Sequence, residues 1–229
     1  MKLASSSACA KETEAQDSPA TVRIRLILVT FTVLWVFAIG IGLRVLWGYE
    51  NTPGVSAQPP QLWPAGSQIQ RAPDHATLVM LAHPHCPCTR ASIGELAELM
   101  AHCQGRLTAY VLFLKPAGFA VDWEKTDLWQ SAASIPGVTA VLDDGGAEAR
   151  RFHAATSGQT ILYDATGRLL FSGGITGSRG HSGDNAGRSA IASLVNAGTA
   201  ERTETFVFGC PLFDPNSECR ESTHERSKN

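Results

Sequence analysis

Charge of one sign is missing from this chain. Its 229 residues carry 19 Lys and Arg against 21 Asp and Glu, a formal net charge of −2. That balance leaves no basic footprint for nucleic acid. Charged residues are scarce overall, at 17%, where about a quarter is usual. The hydrophobic fraction is an ordinary 44%, so apolar residues must be concentrated somewhere. Gly (21) and Pro (12) show no period, which excludes a collagen-like chain. Six cysteines are too few for a disulfide-dense scaffold. No G-x-x-x-x-G-K-[ST] phosphate loop, no C-x-x-C-H haem site and no internal repeat occurs.

The apolar residues gather at 26–43, LILVTFTVLWVFAIGIGL, without a charge. At about 1.5 Å per residue this run covers about 27 Å, close to the hydrocarbon thickness of a bilayer. Trp47 and Tyr49 follow it, where interfacial aromatics belong. Ala38-Ile39-Gly40 has the small-x-small form of a leader cleavage site, but the apolar run continues past it. The segment 23–48 therefore reads as a retained transmembrane anchor. Lys11, Arg23 and Arg25 precede the run, and only Arg44 follows it before Arg71. The positive-inside rule puts the N-terminus in the cytoplasm and everything after Tyr49 on the extracytoplasmic (periplasmic) side of a single-pass membrane protein, where thiols are used deliberately. Residues 1–22 read as a cytoplasmic tail in which Cys9 is an incidental thiol. Residues 49–74, with Pro53, Pro59, Pro60, Pro64 and Pro73, read as a Pro-rich linker holding the folded part off the bilayer.

From 75 to 200 the pattern alternates. Residues 77–83 suit a buried strand. Residues 90–103 place Ile93, Leu96, Leu99 and Cys103 at helical spacing, with Glu95 and Glu98 turned away. Further strands are expected at 107–114 and 138–142, with helices at 123–134 and 145–155. Residues 159–164 and 168–172 flank Ala165-Thr166-Gly167 as a β-hairpin. Asp184 or Asn185 caps a last helix that Gly198 ends. The order β-α-β-α-β-α-β-β-α favours parallel pairing first and an antiparallel edge later, a mixed α/β sheet covered by helices on both faces. Residues 201–229 form a Cys-containing extension.

The chemistry-bearing stretch is His83-Pro84-His85-Cys86-Pro87-Cys88-Thr89-Arg90, at the junction of the first strand and first helix. Open α/β sheets react at the carboxyl ends of their strands. A helix N-terminus, with its free N–H groups and positive dipole end, favours a thiolate over a thiol, and Arg90 adds charge nearby. Cys86 and Cys88 are close enough for a strained, readily reduced disulfide stiffened by Pro87. So short a loop makes a poor staple, because it constrains the unfolded chain little.

These features resemble the thioredoxin-like superfamily, in which a redox motif follows the first strand of a β-α-β unit and a ββα unit closes the fold. More narrowly, AHPHCPCTRAS, SGQTILYD and GRLLFSGGITGSRGHSGDNAG look like the small bacterial membrane-anchored redoxins known as RedB. The resemblance implies a thiol–disulfide oxidoreductase acting on protein disulfide or dithiol substrates without a cofactor, with Cys86 as nucleophile and Cys88 as resolver, or the reverse. It departs from the family in having C-x-C for C-x-x-C, with His85 at one of the two alternative places of the attacking cysteine. It also has Gln159, followed by Thr160, where the family's cis-proline stands. A cis bond there would cost about 2.5–4 kcal/mol, so a trans peptide is expected. His181, in the glycine-rich loop 173–183, is either an acid/base beside the thiol or a solvated histidine.

The remaining cysteines separate by context. Cys103 falls on the apolar helix face as a core residue. Cys210 and Cys219 either pair as a clip, or Cys210 reaches the site as a third thiol. Two other functions compete. Copper handling would use His83, His85, Cys86 and Cys88, since thiolates and imidazoles suit that metal. A thiol peroxidase would need P-x-x-x-T/S-x-x-C, and His83 stands where its Thr or Ser belongs.

Overall fold

The structure, a computed structural model, describes residues 19–55 and 57–213. Cys9 and Cys219 lie outside them, and with them the clip between Cys210 and Cys219. The chain forms two units, one ending at Trp47 and one starting at Gly48. Helix α1 runs Pro19–Asn51 with no buried residue. Among the described residues it is the one helix long and apolar enough to cross a membrane, with a mean hydropathy of 2.5 in its most apolar window. It extends past both ends of the expected 23–48 segment, and its 33 residues reach about 50 Å at 1.5 Å each.

The second unit follows the expected order. Strand β1 (Ala76–Ala82) leads to helix α2 (Pro87–His102), then β2 (Leu107–Lys115), α3 (Asp127–Ala133), β3 (Val138–Asp144) and α4 (Ala147–Arg151). The hairpin β4 (Thr160–Tyr163) and β5 (Leu169–Gly173) precedes α5 (Ala186–Ala197). The sheet order is β3-β2-β1-β4-β5. β1, β2 and β3 are parallel, and β4 and β5 add on antiparallel.

Alternation along β1 assigns the two faces. Leu78, Met80 and Ala82 join Leu96, Leu99, Leu128 and Ile191 from the helical layer of α2, α3 and α5. Val79 and Leu81 face Phe152, Ile161 and Tyr163 on the other side. Cys103 is fully buried in the first layer, as its helical spacing implies. Asn185 caps α5 by accepting from the Arg188 N–H, and Gly198 ends the helix in a left-handed conformation.

Two expectations need correction. Residues 49–74 are no free linker, because Gly54 N–H donates to the Val207 carbonyl and Trp63 and Ile69 pack on the second face. Trp63 lies edge-on to Phe152 and Tyr163 with ring centroids 5.3 and 5.2 Å away. The Tyr163 hydroxyl donates to the Pro60 carbonyl at 2.9 Å, and Trp63 N–H donates to Gly167 at 2.7 Å. The reason is that α4 has only five residues and cannot cover that face alone. Glu95, expected on the outer face of α2, is buried. It accepts from Gly183 N–H and the Asn185 amide and pairs with Arg188 at 2.7 Å.

Candidate active site

The end of β1 delivers His83 to Cys86 as a turn, and α2 begins at Pro87, a residue that needs no N–H partner there. Cys86 is the N-cap residue in extended conformation, with no side-chain bond closing the first turn. Pro87 brings no N–H, and the Thr89 N–H closes the turn on the Cys86 carbonyl at 3.1 Å, so the sulfur stands at the positive end of the helix. Cys86 and Cys88 are both buried.

The third thiol is present. An irregular strap, 203–213, returns from α5 across the sheet end. Ser172 N–H donates to Thr203, and Ser172 bridges Glu204. Farther on, Ser157 N–H donates to the Cys210 carbonyl and Leu212 N–H to Ala155, both at 2.8 Å. Gly209 makes this seat feasible, since a Cβ there would stand 1.9 Å from the Ser157 carbonyl oxygen. The strap sets the Cys210 sulfur 2.8 Å from that of Cys86, about 0.8 Å longer than an S–S bond. Cys86, Cys88 and Cys210 all lie with their sulfurs within 4.8 Å of one another.

The three sulfurs differ electrostatically. Burial works against a Cys86 thiolate, but donors from Cys210 and from the Thr89 hydroxyl and N–H outweigh it and hold its pKa below the ordinary thiol value. Burial, with the proton given to Cys86, pushes Cys210 up to about 12. Cys88 is raised by burial and by the negative charge of Cys86, with Arg179 partly offsetting both. Of the three, Cys86 is the sulfur that gives up its proton first.

A hydrogen-bond chain supports it. His83 N–H donates to the Ser157 hydroxyl at 2.8 Å, and the Ser157 and Thr89 hydroxyls are 2.7 Å apart. With Ser157 donating to Thr89, the Thr89 hydroxyl is free to point its own proton at Cys86. Gly158 lies in the left-handed region, and a Cβ there would press on the Ser92 hydroxyl at 2.9 Å. Arg179 donates to the carbonyls of Gly209 and Thr52, tying the strap beside Cys210.

The other sequence-predicted residues make their polar contacts with groups other than the sulfurs. Arg90 pairs with Asp127 on the surface, lowering that carboxyl through its hydrogen bond. It therefore gives its charge to Asp127. His85 is exposed, its ring 4.5 Å from that of Trp123 and its Nε2 3.2 Å from the Trp123 carbonyl oxygen. His83 accepts from His85 N–H, and burial and the His85 ring hold its imidazole below the usual range. Neither histidine belongs to the sulfur cluster. Pro87 is the first residue of α2. Gln159 binds Ala155 N–H and the Ala57 carbonyl, and the Thr160 hydroxyl donates to the Gly158 carbonyl. The described peptides are all trans, the one before Gln159 included. His181 is exposed in the loop after β5. Sequence reading missed Thr89, Ser157 and Arg179. Thr89 alone had a signal, its place in the first turn of α2.

No family model and no curated protein matches the chain, and nothing in the comparisons supports the narrower likeness to RedB redoxins. Solved structures do match. An uncharacterized conserved protein from Geobacillus kaustophilus is 19% identical, with 72% of this chain and 94% of that chain covered and a TM-score of 0.51. A hypothetical protein from Sinorhizobium meliloti is 22% identical, with coverage of 70% and 93% and a TM-score of 0.51. The exposed lipoprotein thioredoxin of Streptococcus pneumoniae is 12% identical, with coverage of 61% and 98% and a TM-score of 0.42. With three parallel strands, an antiparallel hairpin, helices on both faces and its sulfurs where β1 meets α2, the chain has the thioredoxin-like fold.

Proposed function

We propose that the chain is a membrane-tethered thiol–disulfide oxidoreductase that acts on protein disulfides or dithiols, beginning at Cys86 of the C-x-C motif. The observation that carries this reading is the Cys86 sulfur, at the start of α2, with Thr89 and Cys210 as donors that favour its thiolate. Disulfide exchange runs through attack of a thiolate on a disulfide sulfur, and only one of the three thiols is prepared for it. The apolar α1 supplies the tether. Lys11, Arg23 and Arg25, N-terminal to the apolar run 26–43, favour an extracytoplasmic domain.

The test is reduction of insulin disulfides by the detergent-solubilised chain with dithiothreitol as electron donor. Cys86→Ala should lower the rate to the uncatalysed level. An unchanged rate refutes the reading. A reporter active only outside the cytoplasm, fused to the C-terminus, should report activity if the orientation is right.

A second reading is favoured by the three-sulfur group, whose soft ligands suit Cu(I). Its ligand set is Cys86, Cys88 and Cys210, without His83 or His85. Stoichiometric Cu(I) retention abolished by Cys210→Ser as well as by Cys86→Ser would support it. No retention at micromolar metal would exclude it.

A further inference from the structure

Of the two thiols that could complete an exchange begun at Cys86, the structure assigns the task to Cys210 on the strap; this deepens the oxidoreductase reading and rests on it. Its sulfur is 2.8 Å from Cys86. That distance is set by backbone seating, from the Cys210 carbonyl on Ser157 N–H and the Leu212 N–H on Ala155. Thr156 and Pro211 form a bridge between these bonds. Gly209 lies flush against Ser157, and Arg179 holds the Gly209 carbonyl. The bridge with its two backbone bonds, the close approach of Gly209 and the Arg179 bond thus serve one sulfur position. Cys88, by contrast, is two residues from Cys86 across Pro87, which fixes φ, so their disulfide closes a small stiff ring. Cys210 is also half-buried rather than buried, open to an exchanging partner.

The Cys86 thiolate attacks one sulfur of a client disulfide, forming a mixed disulfide and expelling the other client sulfur as a thiolate. That thiolate takes the proton from Cys210. The Cys210 sulfur then attacks the Cys86 sulfur, the mixed disulfide breaks, and the second client sulfur leaves and is protonated by water. The client gains two electrons, the Cys86–Cys210 pair loses two, and Cys88 stays a thiol throughout. A dithiol reductant reverses the sequence.

The experiment uses the full chain in detergent, reduced and then equilibrated with oxidised glutathione. Free thiols are blocked at low pH, and the digested protein is mapped by mass spectrometry. The expected result is a Cys86–Cys210 linked peptide as the main product, with Cys88 blocked as a thiol. In the same mixture Cys210→Ser should accumulate a glutathione mixed disulfide on Cys86 at least tenfold above the native chain, and Cys88→Ala should not. A dominant Cys86–Cys88 link, with Cys88→Ala as the trapping variant, overturns the assignment to Cys210 and leaves the oxidoreductase reading standing. If Cys86→Ala still catalyses insulin reduction, the oxidoreductase reading falls and takes this inference with it. Mapping the native chain needs no variant, so a Cys210→Ser chain that fails to fold leaves the question decidable.

Discussion

At the scale of single residues, the site is a contest over where one proton sits. Three buried or half-buried thiols crowd together, and only donors can make one of them a thiolate against burial. Thr89 and Cys210 supply these donors to Cys86. Because the Cys86 pKa is lowered, its thiolate persists at a pH where an ordinary thiol is already protonated. Cys88 and Cys210, being raised, ionise later. Iodoacetamide alkylation followed by pH should therefore show Cys86 with a midpoint below the ordinary thiol range and the other two above it. Thr89→Val removes the hydroxyl donor at nearly constant shape, so it should move the Cys86 midpoint upward and slow its alkylation at pH 7. An unchanged profile would show that the hydroxyl does nothing for the sulfur.

At the scale of elements, the site is made by a strand end, a helix start and a strap that meet. Gly209→Ala forces a Cβ against a backbone oxygen 1.9 Å away, and overpacking of this kind costs about 1–3 kcal/mol. Thermal unfolding should show that loss. The alkylation midpoint of Cys86 should also rise, since the displaced strap carries its donor away. The segment before β1 is equally part of the fold. Trp63→Ala should cost about 2–3 kcal/mol, below the value for a fully buried tryptophan because Trp63 is half-buried. A change within 0.5 kcal/mol would restore the view of 49–74 as a linker. That view came from composition, and it shows what a sequence conceals. The β-α-β order, the hairpin and the Asn185 cap were legible because each depends on local pattern. The docking of Trp63 was not, because proline content says that a segment is extended and not what it lies against. Cys210 was similar: its residue type marked it as a candidate, but only the tertiary path of 203–213 brings it to Cys86. Arg90 misled for the same reason, since Asp127, which takes its charge, is distant in sequence.

At the scale of the whole molecule, the chain comprises an apolar helix and a folded unit that starts well before its first strand. A chain beginning at Gly48 should fold cooperatively, as judged by a single thermal transition and dispersed amide resonances. One beginning at residue 75 should not, having lost Trp63 and Ile69 from the second face. Equal behaviour of the two would show that the segment is dispensable. The strap has one more consequence. β5 is the outermost strand on its side of the sheet, and Ser172 on it bonds to Thr203 and Thr205 of the strap. Unpaired strand margins recruit other chains. With these bonds in place the margin is covered, so the same segment that brings Cys210 to Cys86 also denies a neighbouring copy a strand to pair with.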